Sequence, residues 1–170
     1  MDELCRRLAS DLDDAFPDLV DQMQHPLYSG LRRLHGTEAE DLAQETFIRA
    51  YRALQAYEPD RIRELKLRGW IWTIALNLGR NALRDRARRP TPVELEDRHG
   101  HEDPEPIDGV AWDRRLSTLP DAQRKAVVLR HIVGLSLAET ATALDRREGT
   151  VKADVHRGLA KLRNLMEAEA

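Results

Sequence analysis

Apolar residues recur along this chain at three- and four-residue intervals and nowhere alternate as a strand requires. In residues 2–34 the series Leu4, Leu8, Leu12, Leu19, Val20, Met23, Leu27, Leu31 and Leu34 predicts one or two helices. Pro17 and Pro26 are expected to break or kink them. His35-Gly36 closes the segment, and Thr37-Glu38-Ala39-Glu40 reads as a capping box opening a helix over roughly 37–57. Ala39, Leu42, Ala43, Phe47, Ala50 and Leu54 form its inner side, while Glu38, Asp41, Gln44, Glu45, Arg49 and Arg52 lie outward.

The widest apolar surface falls in residues 68–89. At about 100° per residue, Ile71, Ile74, Ala75, Leu78 and Ala82 share one side, which Trp72, Leu76 and Leu83 extend. Opposite runs a narrow stripe of Thr73, Asn77, Arg80, Arg84 and Arg88, bordered by Trp70 and Asn81. A helix apolar over more than half its circumference is largely buried. The stripe it keeps outside nevertheless carries three arginines and no acid. Such arginines, beside an amide and a tryptophan, suit phosphates and unstacked bases. A merely solvated face on a core helix is the competing reading.

Residues 90–109 hold four prolines and seven acids, which cannot build a core and predict a flexible acidic linker. Beyond it, Trp112, Leu116 and Leu119 mark a short helix, and Pro120 sits in the first turn of the next, which ends at Gly134. Ser136-Leu137-Ala138-Glu139 is a second capping box, starting a short helix to Leu144. After the turn Asp145-Arg146-Arg147, a last helix over about 148–167 places Val151, Val155, Leu159, Leu162 and Met166 inward. Short helix, tight turn and longer helix form the helix-turn-helix pattern. Ala141 permits the close approach of its two helices, and Gly149, Lys152, Ala153, His156 and Arg157 point outward where a major groove would lie. An ordinary three-helix bundle is the alternative. The expected fold is all-α, with two small helical domains at 1–89 and 110–170 joined by the linker.

Charge changes the picture only when divided along the chain. The total of −3 is a cancellation. Residues 1–60 hold 13 acids against 6 bases, 61–93 hold 2 against 9, 94–109 hold 7 against 1, and 110–170 hold 8 against 11. Blocks of opposite sign suggest several partners, which a small-molecule enzyme does not require. The lone Cys5 excludes an internal disulfide and a cysteine zinc site. No apolar run reaches membrane-spanning length and no signal-peptide core is present, so a soluble cytoplasmic protein is expected. Asp41 and Glu45 lack a third converging ligand, and His99 and His101 sit in the acidic linker. No metal, cofactor or catalytic site is expected.

These motifs, in this order, resemble the extracytoplasmic-function sigma factors, small two-domain subunits that direct bacterial RNA polymerase to promoters. DLAQETFIRAYRAL, residues 41–54, resembles the family's helix that docks on the beta-prime clamp. The resemblance therefore assigns Asp41, Gln44, Glu45, Phe47 and Arg49 to polymerase docking. RGWIWTIALNLGRNALRDRARR resembles the DNA-melting helix, which gives Trp70, Thr73, Asn77, Arg80, Asn81, Arg84 and Arg88 to the −10 region. Residues 119–163, with Leu119-Pro120, Gly134-Leu135-Ser136 and Gly149-Thr150-Val151-Lys152, resemble the second domain. That implies −35 recognition by Arg147, Glu148, Gly149, Thr150, Lys152, Ala153, His156 and Arg157, and contact with the beta flap. It also admits an anti-sigma factor as partner, since many relatives are held inactive by one. No catalysis is implied. Three departures stand out: Ala153-Asp154 replaces the usual Ser-Arg, Asp145 replaces the turn glycine, and Gly79-Arg80-Asn81 replaces an Ala-Ile-Asp type. Asp154 is expected on one flank of the DNA-facing side, where it repels phosphate or accepts from a cytosine amino group. A conventional helix-turn-helix regulator that binds operators without polymerase is the alternative function.

Overall fold

A computed structural model of the chain describes residues 2–88 and 109–169, and the regular structure there is entirely helical. The linker expected at 90–109 lies, but for Gly109, outside the described residues. The first unit comprises α1 (Asp2–Ser10), α2 (Leu12–His35), α3 (Ala39–Ala56), α4 (Pro59–Arg63) and α5 (Leu67–Arg88). The second comprises α6 (Gly109–Ser117), α7 (Asp121–Val127), α8 (Leu137–Leu144) and α9 (Glu148–Glu169).

Local chemistry moves several expected boundaries. The N-terminal segment divides at Asp11, whose carboxylate accepts from the Asp14 amide at 3.1 Å and caps α2. Pro17 and Pro26, expected to break the helix, sit inside it. The carbonyls left without an intrahelical amide belong to Asp13 and Gln22, both exposed residues. The Thr37 capping box does not form. Gly36, at φ 61°, turns the chain left-handed, and a 3₁₀ turn (Gly36–Glu38) feeds directly into α3 without a side-chain cap. The helix after Pro120 is α only to Val127 and then widens into a π segment, Val128–Ile132. There the amides of Val133 and Leu135 reach back to the carbonyls of Val128 and Leu129.

One apolar core runs through both units. Leu19, Leu27, Leu31, Leu54, Ile71, Trp72 and Ala75 of the first are continuous with Leu116, Leu119, Leu129, Val133 and Leu135 of the second. Trp72 is fully buried at the junction, where a Cβ on Gly30 would strike both the indole and Val133. Gly69 lets α8 lie directly against α5, because a Cβ there would stand 2.8 Å from the Glu139 carbonyl oxygen. Polar contacts border the junction. Arg68 donates to the carbonyls of Val133 and Gly134, each at 3.3 Å, and Arg33 pairs with Asp113.

Two residues expected inside lie outside. Leu83 on α5 is 49% exposed and Met166 on α9 is 43% exposed. Both stand toward the C-terminal ends of their helices.

Candidate nucleic-acid interface

The helix-turn-helix is built from local signals. Ser136 caps α8 by accepting from the Glu139 amide at 3.1 Å, and the Glu139 carboxylate in turn accepts from the Ser136 amide at 2.7 Å, so this capping box is complete. Asp145 ends α8 in the left-handed region, φ 51° and ψ 51°, which an aspartate tolerates better than most residues. The Arg146 amide then bonds the Ala141 carbonyl at 3.0 Å. Ala126, Ala141 and Val151 form a small separate core that fixes α9 against α8 and α7.

That core decides which side of α9 faces away. Arg147, Glu148, Gly149, Thr150, Lys152, His156 and Arg157 are exposed, and Ala153 is half-buried. Asp154 is not on the open flank where it was expected. It is buried, accepting from Arg157 Nη2 at 2.7 Å and Arg146 Nη1 at 3.2 Å. A carboxylate held in that way is withdrawn from any base or phosphate beside the helix.

The stripe on α5 is divided. Asn77, Arg80, Asn81 and Arg84 are exposed, with Arg80 donating to Asn77 Oδ1 at 2.8 Å. Thr73 lies under α8, its hydroxyl within bonding distance of the Gly69 carbonyl at 3.0 Å and the Thr142 carbonyl at 3.3 Å. Trp70 is half-buried, its ring centroid 6.0 Å from that of Tyr57. The side chain of Arg88 lies outside the described residues.

On α3, Asp41, Gln44 and Arg49 are exposed, and Arg49 Nε donates to Glu45 at 2.7 Å. Phe47 turns half inward against the core, leaving Ile48 as the large apolar residue on the outer side. Sequence reasoning missed Ile48, because the resemblance assigned docking to Phe47, which the helical period already placed on the inner side. It also missed a groove of about 740 Å³ in the second unit, lined by Trp112, Leu116, Ile132, Leu159, Leu162 and Met166. Arg33, His131 and Arg163 stand around it. The exposed Trp112, Ile132 and Met166 were the signal. Among the described residues no group of three metal-ligating side chains converges, and no helix is long and apolar enough to cross a membrane.

The geometry defines a two-part helical protein of the kind that presents a helix-turn-helix. It combines a helix-turn-helix with a second, cationic helix in a separate unit. Residues 19–89 match the family described as Sigma-70 region 2, and residues 110–162 match Sigma-70, region 4. The chain is 36% identical to the ECF RNA polymerase sigma factor SigE of Mycolicibacterium smegmatis over 89% of its own length and 62% of that protein's. It is 34% identical to the ECF RNA polymerase sigma factor SigW of Bacillus subtilis, with 88% of each chain covered. The solved structure of CnrH in complex with the cytosolic domain of CnrY superposes with a TM-score of 0.75 at 27% identity, covering 99% of this chain and 98% of that one. The chain belongs to the extracytoplasmic-function sigma factors of the sigma-70 family. It acts in transcription initiation with RNA polymerase, a role that family fills without enzymatic chemistry, and the conventional-regulator alternative is not supported.

Proposed function

We propose that the two cationic helices divide the promoter between them. Arg147, Glu148, Gly149, Thr150, Lys152, Ala153, His156 and Arg157 enter the major groove of the −35 element. Asn77, Arg80, Asn81, Arg84 and Arg88, with Trp70 and Thr73, hold the melted −10 strand. The observation that carries this reading is the outward side of α5 from Asn77 onward, where Asn77, Arg80, Asn81 and Arg84 are exposed together although the helix from Leu67 to Leu78 is largely sunk in the core. Two exposed arginines and two amides stand there against one exposed acid, Asp85, a balance that suits phosphate and unstacked bases.

Asp41, Gln44, Glu45 and Arg49 form the docking side for the beta-prime clamp, with Ile48 as its apolar centre and Phe47 behind it. The groove between Trp112 and Met166 seats a helix of the beta flap. Two weak sites on one chain raise overall affinity through effective concentration. The packed arrangement is the resting form, because Thr73 meets the −10 strand only when α8 leaves α5. A regulatory partner of the anti-sigma kind would hold that form. The protein works in the cytoplasm, where polymerase is.

Run-off transcription with purified bacterial core polymerase on a promoter library tests the reading. Transcripts from a subset of promoters, made only when this protein is added, are expected. Tight binding to duplex DNA with no association with core polymerase would overturn it.

A further inference from the structure

Three buried polar side chains occur among the described residues: Thr46, Thr140 and Asp154. The two threonines are satisfied locally, each hydroxyl donating to the carbonyl four residues back. Asp154 is different in kind. It is a carboxylate only 5% exposed, at the position where the family pattern carries an arginine. A buried carboxylate without partners is strongly destabilising. Here each oxygen has its own guanidinium: Oδ1 receives Arg157 from one turn further along α9, and Oδ2 receives Arg146 from the turn before it. Both arginines remain substantially open to solvent, at 44% for Arg146 and 59% for Arg157. One donor of each is engaged, which leaves the remaining donors of a planar, five-donor group free to meet another acceptor.

We propose that Asp154 is a positioning residue for −35 readout: it fixes the Arg157 guanidinium before DNA arrives, with Arg146 securing the carboxylate from the other side. The inference rests on the reading that α9 enters the major groove. An arginine that reads guanine needs both its reach and the plane of its fork to be correct. A free side chain loses rotamer freedom on binding, whereas one already tethered loses less. The tether must come from a group that does not itself face the DNA phosphates. Burial meets that condition, and it reconciles an aspartate on a recognition helix with a polyanionic ligand. In place of a third DNA-facing cation, the chain carries a buried anion that disciplines two existing ones.

The test uses holoenzyme reconstituted with core polymerase and a pool of promoter duplexes randomised through the upstream element, sequenced before and after selection. The wild-type protein is expected to show a base preference, lost in Arg157→Ala, of about five- to a hundredfold. Asp154→Asn keeps the size of the side chain and removes its charge. It is expected to weaken that same preference by about two- to tenfold while leaving the other positions unchanged. The double variant Asp154→Asn/Arg157→Ala is expected to select like Arg157→Ala alone. Should Asp154→Asn melt below the assay temperature, Arg146→Ala removes one anchor without touching Arg157, and is expected to weaken the same preference by a smaller factor. A folded Asp154→Asn protein that keeps the full preference makes Asp154 a stability residue and overturns the proposal. If Arg157→Ala itself changes no preference, the groove reading of Arg157 fails, and the proposal falls with it for that distinct reason.

Discussion

Two helices of equal length, α5 and α9, each 22 residues, carry the cationic surfaces of this protein, yet they meet solvent very differently. On α9 the buried residues Val151, Asp154, Gly158 and Leu162 form a narrow strip, and the outward residues stand clear together. On α5 burial spreads from Leu67 to Leu78 and takes in Ile71, Trp72, Ala75 and Leu76, because α3 packs on one side and α8 on another. The outward side of α9 is thus open in this arrangement, and that of α5 is half covered. The difference is set by how much apolar surface each helix carries. A narrow stripe is satisfied by its own unit, whereas a wide one recruits a second layer.

The strongest way to break that contrast is to remove the residue that joins the units. Trp72 is fully buried between Gly30 and Val133, so Trp72→Ala is expected to lower unfolding free energy by about 3–5 kcal/mol, read from urea midpoints. A subtler variant should separate the units while leaving each folded. Gly69→Val drives a side chain into the Glu139 backbone, an overpacking cost of about 1–3 kcal/mol. Small-angle scattering should then show a larger radius of gyration with helical circular dichroism retained. An unchanged radius would mean that α8 slides rather than lifts, and that Thr73 stays covered.

The helices were legible because their signals are local: period, the Ser136–Glu139 box, Gly36 and Gly134, and Asp145 standing in for a turn glycine. The outward placement of the candidate residues was legible as well, from Asn77 to Arg84 and from Arg147 to Arg157, while their contact with DNA is the proposal. Local signals misled where Pro17 and Pro26 stay inside α2 and the Thr37 box does not form, but what failed to show at all is non-local. Nothing in the wheel of α5 says that Trp72 is buried at a junction with the other unit, across a stretch of proline and acid that suggested separation. Asp154 misled in another way. It stands on the buried strip with Val151, Gly158 and Leu162, and its charge finds partners there only because Arg146 of the preceding turn and Arg157 both reach it.

Arg84 offers a smaller effect that sharpens the comparison. It lies on the open half of α5, and its proposed ligand exists only once the promoter is melted. Arg84→Ala is expected to reduce open-complex formation, followed by permanganate reactivity, several-fold more than closed-complex formation. It should also lower the salt dependence of open-complex binding by about one ion. Equal losses in both complexes would place Arg84 on duplex DNA instead.

The smallest effect concerns the ground beneath the open half of α5. His35, at the end of α2, lies over Gly79, where any Cβ would collide with its ring, so this histidine accounts for the departure from the family pattern at that position. Neither ring nitrogen has a hydrogen-bond partner. Burial pushes its pKa below the ordinary histidine value, and Lys125 and Arg124 of α7 press it further down, opposed by Glu38 and Asp121. A base whose folded pKa is depressed binds its proton more readily in the unfolded chain. It therefore costs nothing well above the unfolded value of about 6.5, and it removes stability as pH falls through that value toward the folded one. Urea midpoints measured from pH 8 to 5.5 should accordingly fall faster for the wild type than for His35→Phe, by at most about 1.4 kcal/mol per pH unit. The apolar ring also relieves two unsatisfied nitrogens, so the variant is expected to be no less stable at pH 8. Parallel curves would show that His35 titrates as it does in the unfolded chain, and that the contact between α2 and α5 is indifferent to its charge.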